Sequence, residues 1–185
     1  MSHTEVVELV KAGGYRRLDE PVKLASGQWS RDFVDGKAAV ASGKGLQLVC
    51  REMVNAHRDI AFDAVGGLTM GADAYAVGIA IHCGCDWFFV RKEPKGRGTN
   101  QLIEGAQIHG RRVLLVDDVV STGGSIQTAY ERVQDAGGIV VAAVTLVDRG
   151  DVAQQYFDDR NIPFVALVTY RDLGIEPVGP ALVVH

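Results

Sequence analysis

The 185-residue sequence lacks any run of 18 apolar residues, and its N-terminus lacks the basic-then-apolar pattern of an export signal. Neither a membrane partner nor export is expected; a cytoplasmic protein is. Cysteine is scarce: the three present, an odd number without framework spacing, fit a reducing compartment rather than a disulfide scaffold. Cys83-Gly84-Cys85 is too closely spaced for the zinc patterns and has no second pair, so both cysteines read as small apolar fillers. Positive charge is short as well. With 19 Lys and Arg against 23 Asp and Glu the net charge is −4, which leaves no global basic field and argues against nucleic acid as a partner. An anionic ligand must then be met by a local cluster of cations. Internal repeats, linkers and low-complexity stretches are absent, and 47% hydrophobic with 23% charged residues is the make-up of one soluble domain with a sizeable core.

What is present centres on Arg112 to Ser125. Val113 to Val116 is an unbroken apolar run, the pattern of a strand buried on both faces of a parallel sheet. Asp117 and Asp118 follow where that strand is expected to end. Ser121-Thr122-Gly123-Gly124-Ser125 then leads into a helical segment over Ile126 to Ala136. Hydroxyls and paired glycines at a helix N-terminus offer backbone N–H groups and a positive dipole end to an anion. The loop is neither a Walker A loop nor Gly-x-Gly-x-x-Gly. An acid pair beside a phosphate loop suits a ligand that carries hydroxyls next to its phosphate, as a ribose 5-phosphate does.

The stretch Val-Leu-Leu-Val-Asp-Asp-Val-Val-Ser-Thr-Gly-Gly-Ser resembles the phosphoribosyl pyrophosphate (PRPP) signature of type I phosphoribosyltransferases. The resemblance implies that Asp117 and Asp118 hold the ribose hydroxyls, while Val119, Val120, Ser121, Thr122, Gly123, Gly124 and Ser125 hold the 5-phosphate. A second glycine-rich strand-to-helix turn, Gly66-Gly67-Leu68-Thr69-Met70-Gly71, lies between an expected strand over Ile60 to Val65 and a helix over Ala72 to Ile81. In the resembled family this place is the pyrophosphate loop, so Thr69 and Gly71 are expected at PRPP; glycine there equally suits tight packing.

Trp87 to Val90 reads as a buried strand that runs into Arg91-Lys92-Glu93-Pro94-Lys95-Gly96-Arg97-Gly98, a basic loop without an apolar anchor. With Leu102-Ile103-Glu104-Gly105 it is similar to the catalytic loop of orotate phosphoribosyltransferases. The likeness implies that Arg91, Lys92 and Lys95 meet the pyrophosphate, partly across a homodimer interface. Arg97 stands where the family usually has histidine, and with Lys92, Lys95, Asp117 and Asp118 it completes the candidate catalytic set. Val22 to Asp35 reads as two short strands around a Ser-Gly turn and resembles the family's base-pocket hairpin. Ser26 and Phe33 match, while Ala25 replaces the family's lysine. Arg149, after a buried strand over Ile139 to Val147, matches an arginine that reaches the base carboxylate; an ion pair with Asp148 or Asp151 is the alternative. Ser121 completes the base-binding set.

Elsewhere, helices are expected over Thr4 to Lys11 with Thr4 as cap, Gly43 to His57, and Val152 to Arg160. A last buried strand is expected over Pro163 to Val168, before a tail from Leu173. This order implies an α/β fold, a mainly parallel central sheet flanked by helices, with a small N-terminal hood over about residues 1–40, and the resemblance implies a single type I phosphoribosyltransferase-like domain over residues 1–185. The expected activity is transfer of phosphoribosyl from PRPP to orotate, with Mg²⁺ held mainly by PRPP and water rather than by protein ligands. The same chemistry on a purine, or a PRPP-binding regulator without turnover, are the alternatives.

Overall fold

The computed structural model describes residues 3–24, 27–94 and 101–179. Helix α1 (His3–Gly13) buries Val6, Val7 and Val10 as one stripe. Thr4, expected as its cap, lies inside it, because His3 is already helical. Strands β1 (Tyr15–Lys23) and β2 (Trp29–Val34) pair antiparallel as a separate hood sheet, with an irregularity between Arg17 and Val22. β1 begins at Tyr15 rather than Val22. Its residues are mostly exposed and polar, so pairing with β2 defines the strand and no hydrophobic period announces it. A single turn, α2 (Gly36–Ala39), follows, with the Asp35 carboxylate accepting the Lys37 and Ala38 amides. Ser42 caps α3 (Gly43–Ala56), which buries Val49, Cys50 and Met53.

The main sheet holds β3 (Ala64–Leu68), β4 (Asp86–Val90), β5 (Ile103–Gly105), β6 (Arg112–Val120), β7 (Ile139–Asp148) and β8 (Phe164–Thr169). Their order is β5-β4-β3-β6-β7-β8, parallel throughout except for β5, which runs antiparallel along β4. The crossovers are α4 (Asp73–Cys83), α5 (Gly124–Asp135) and α6 (Val152–Asp158), and a one-turn α7 (Tyr170–Leu173) follows β8. Side chains of β6 alternate between two cores. Leu114 and Val116 pack with α1, α3 and α4, whereas Val113 and Leu115 pack with α5 and α6. Each of these buried side chains contributes roughly 1.5–3 kcal/mol relative to exposure. Burial on both faces is what makes such a strand read as a continuous apolar run. No described helix is long and apolar enough to cross a membrane.

Several expectations shift. The strand expected over residues 60–65 lies at Ala64–Leu68, so Gly66 and Gly67 belong to the strand and not to the turn. They are there for packing: a Cβ on Gly66 would strike Phe88, and one on Gly67 would strike the Val116 carbonyl of β6. β6 does not stop before the acids. Its pairing with β7 continues through Asp117, Val119 and Val120, and the Thr145 hydroxyl donates to the Asp117 carbonyl at 3.2 Å. The edge strand β5 and the turn α7 were not expected, being three and four residues long. Cys85 packs against the core as a filler, but Cys83 is exposed at the end of α4 and fills nothing.

From β3 the chain crosses outward to β4; from β6 it crosses the other way to β7 and then β8. The crevice between the carboxyl ends of β3 and β6 is therefore the switch point, where open α/β sheets take their ligands.

Candidate active site

At that crevice β6 presents Asp117 and Asp118. Asp117 is only 3% exposed. Its Oδ1 accepts the Asp118 amide at 2.9 Å, while its Oδ2 is buried without a partner among the described residues. Burial first, and the adjacent Asp118 carboxylate second, push the Asp117 carboxyl well above the ordinary carboxylate range. Asp118 is less enclosed. Its Oδ1 accepts the Val119 amide at 2.8 Å and its Oδ2 lies 3.3 Å from the Lys37 ammonium. A buried acid without a full set of donors is costly, and hydroxyl groups would supply what Asp117 lacks.

Beyond the acids the chain turns through Ser121 and Thr122 to Gly123, whose φ of 79° lies in the left-handed region that favours glycine. Gly123 is the N-cap of α5. A small cavity of about 60 Å³, lined by Asp117, Val119, Val120, Ser121 to Gly124 and Ser125, opens at the N-terminus of this helix. It has the size of a tetrahedral oxyanion rather than of a nucleoside, and it lies at the helix end whose first amides have no partner within the helix.

The turn after β3 closes the opposite wall. Thr69 donates to the Asp73 carboxylate at 2.8 Å, and the Thr69–Met70 peptide bond is cis. A Cβ on Gly71 would sit 2.5 Å from Asp118 Oδ1 and 3.1 Å from Asp117 Oδ1, so the backbone here passes directly over the acid pair. Thr69, Gly71, Asp117, Asp118 and residues 121–125, expected at one ligand, are brought together.

The base side is built differently. Arg149, at the end of β7, is 2% exposed, and its Nε and Nη2 have no hydrogen-bond partner among the described residues. Its backbone is pinned: the amide donates to the Val120 carbonyl and its carbonyl accepts the Val178 amide, at 2.8 and 2.6 Å. Burial lowers its pKa, opposed by the nearby Asp32 carboxylate. The alternative ion pair does not form, since Asp148 accepts the Gly150 amide at 3.0 Å and Asp151 lies 3.4 Å from Arg171. Gly150 brings this turn beside the Ser121 carbonyl. Phe33 is 39% exposed on β2, on the face opposite to the buried Asp32 and Val34. Asp32 itself accepts from the Tyr15 hydroxyl at 2.9 Å and from Arg17 at 2.8 Å, an arrangement no motif announced.

The basic loop starts where β4 and β5 pair. The Arg91 amide donates to the Leu102 carbonyl, the Arg91 guanidinium pairs with Glu104 at 3.1 Å, and Arg132 donates to the Lys92 carbonyl at 2.8 Å. The Lys92 side chain is exposed. Ser26, Lys95 and Arg97, expected at the site, lie outside the described residues.

Sequence reasoning missed Lys37. It reaches Asp118 from α2 and also lies 3.2 Å from Asp35. The only available signal was its place four residues after Phe33, which says nothing of a partner 81 positions along the chain.

An acid pair, an oxyanion cradle and the turn at Gly71, together at a switch point, suit a ligand that carries hydroxyls beside a phosphate. The chain belongs to the phosphoribosyltransferase family: the family model described as Phosphoribosyl transferase domain matches residues 39–170. Within that family it is similar to orotate phosphoribosyltransferases. It is 39% identical over 156 residues to the orotate phosphoribosyltransferase of Mycobacterium leprae (strain TN), covering 83% of this chain and 87% of the relative. To that of Mycobacterium avium (strain 104) it is 38% identical over 180 residues, 95% of this chain and 99% of the relative. Among solved structures, the Mycobacterium tuberculosis H37Rv orotate phosphoribosyltransferase in complex with PRPP has a TM-score of 0.78 at 35% identity, covering 94% of this chain and 99% of that one.

Proposed function

We propose that the chain is an orotate phosphoribosyltransferase, which joins PRPP and orotate to give orotidine 5′-monophosphate and pyrophosphate for pyrimidine synthesis. The observation that carries this reading is the pairing of two features left unsatisfied among the described residues: the buried Asp117 carboxyl of an acid pair beside an oxyanion cavity, and a buried guanidinium with two unpartnered nitrogens at the neighbouring strand end. The first suits a ribose 5-phosphate. The second suits the carboxylate that distinguishes orotate from other pyrimidines.

In the proposed assignment the 5-phosphate lies on the amides of residues 121–125 at the start of α5. Asp117 and Asp118 accept the ribose hydroxyls and oppose the positive charge that develops at C1. Arg149 receives the orotate carboxylate, with Phe33 and Ser26 at the hood side and Ser121 beneath. The C1–O bond to pyrophosphate breaks, pyrophosphate leaving with the electron pair, as the ring nitrogen forms the new C1–N bond and releases its proton to solvent. Such a displacement passes through an oxocarbenium-like state, as in glycosyl transfer generally. Arg91, Lys92, Lys95 and Arg97 are assigned to the leaving pyrophosphate, with the turn at Thr69 and Gly71 on its other side. Mg²⁺, when bound, would neutralise pyrophosphate charge; the oxygen donors of PRPP, with water, suit so hard a cation. We further assign a homodimer whose basic loop serves the neighbouring site, and a cytoplasmic location.

The test is incubation with PRPP, Mg²⁺ and a panel of bases. Orotate should be consumed with release of equal pyrophosphate. Turnover of hypoxanthine, guanine or adenine without orotate would overturn the base assignment, and PRPP binding without turnover of any base would make the chain a PRPP-binding regulator.

A further inference from the structure

The hood and the sheet meet at one point that the activity itself does not call for. β2 carries Phe33 and ends at Val34; the next three residues, Asp35, Gly36 and Lys37, run straight onto the acid pair of β6. Gly36 is pressed against the strand so closely that a Cβ would lie 2.7 Å from the Asp118 Cβ and 3.2 Å from Val119. The buried Tyr75 of α4 holds it there by donating to the Gly36 carbonyl at 2.8 Å. Lys37, the next residue, is thereby delivered to Asp118, with its ammonium 3.3 Å from Oδ2. Asp35 holds the same ammonium at 3.2 Å while capping α2, so the lysine is shared between a hood carboxylate and a sheet carboxylate.

We propose that Lys37 is a positioning residue for PRPP recognition, fixing Asp118 for the ribose hydroxyls and offsetting the acid pair's charge against an incoming polyanion. The inference rests on the proposed function, because it assumes PRPP as the ligand. The physical argument has two parts. Asp118 Oδ1 is fixed by the Val119 amide and Oδ2 by Lys37, so both oxygens are oriented before any sugar arrives. PRPP carries its phosphates past two adjacent carboxylates, and among the described residues Lys37 is the side-chain cation in contact with that pair. The lysine side chain is 51% exposed, so the effect is the modest one of a half-solvated ion pair, weakened by salt.

The experiment is calorimetric titration of PRPP with Mg²⁺, without any base, into five proteins: the parent, Lys37→Met, Lys37→Arg, Asp118→Asn and the double variant with Lys37→Met and Asp118→Asn. Lys37→Met should weaken PRPP by about fivefold at low salt, the upper end for such a pair. Lys37→Arg should bind within twofold of the parent, about the limit of a resolved difference. In the Asp118→Asn background Lys37→Met should have little further effect, since the two residues act through one contact. Parent-like binding by Lys37→Met, or equal losses in both backgrounds, would overturn the inference while leaving the proposed function intact. A parent that binds PRPP and shows the coupling but does not turn over orotate would overturn the proposed function and leave Lys37 in place. Absence of PRPP binding by the parent would remove both.

Discussion

At the carboxyl end of β6, Asp117, Asp118 and Ser121 to Ser125 follow one another along a single strand, turn and helix, so backbone geometry alone arrays them at one cavity or beside it. On the base side, Phe33 and Arg149 come from a hood strand and the end of β7, separate segments of the chain. The sugar-phosphate half is local and is covered by the family match over residues 39–170; most of the hood lies before it. The difference suggests where each kind of specificity resides. A site built from contiguous residues keeps its ligand as the surroundings vary, whereas one assembled from separate segments is open to change in the base it takes.

Substitutions should separate the two halves. Asp118→Asn is expected to cost the most, about a hundredfold or more in kcat, the usual scale for losing one transition-state electrostatic partner. Its thermal midpoint should stay near that of the parent. Steady-state kinetics beside calorimetric melting checks this, and comparable activity would make the acid pair structural.

Arg149→Met should raise the KM for orotate by about 10- to 100-fold, the range for charge-assisted hydrogen bonds to a carboxylate, while the Kd for PRPP moves little. The same variant should melt higher than the parent, because a buried guanidinium with two nitrogens unpartnered among the described residues is removed. A lower melting point with unchanged orotate KM would place Arg149 in the scaffold.

Asp117→Asn gives a smaller effect whose sign depends on pH. The folded carboxyl holds its proton above the ordinary carboxylate range, so between the unfolded and folded pKa values the native state binds more protons and stability falls as pH rises. Asparagine lacks that slope. The variant should therefore gain stability over the parent as pH rises from about 5 to about 8, even as activity is lost. Parallel melting curves across this range would mean that the acid is not strained in the free protein. Smallest should be Phe33→Ala, a few-fold rise in orotate KM from losing one aromatic contact of about 1 kcal/mol, with the Kd for PRPP unchanged.

The same division governed what could be read from the sequence. The parallel sheet and the phosphate half were legible because their signals are short-range: an apolar run for a doubly buried strand, then acids, hydroxyls and glycines in chain order. Gly66 and Gly67 misled, since a glycine pair looks the same whether it turns the chain or lets Phe88 and Val116 approach. The start of β1 escaped notice because its exposed polar residues before Val22 have no period, and β5 because three residues are too few to show one. Lys37 and the unpartnered state of Arg149 depend on contacts far apart in sequence, and no spacing encodes them.

The central claim is that two independent half-sites read the sugar phosphate and the base carboxylate. It is tested most directly by comparing orotate with uracil, the same ring without the carboxylate, in the parent and in Arg149→Met at saturating PRPP and Mg²⁺. The parent should favour orotate in kcat/KM by about a thousandfold or more, as a site built around a polar group does against an analogue lacking it. Arg149→Met should lose most of that preference while binding PRPP as before. A preference for orotate that survives the substitution would contradict the account.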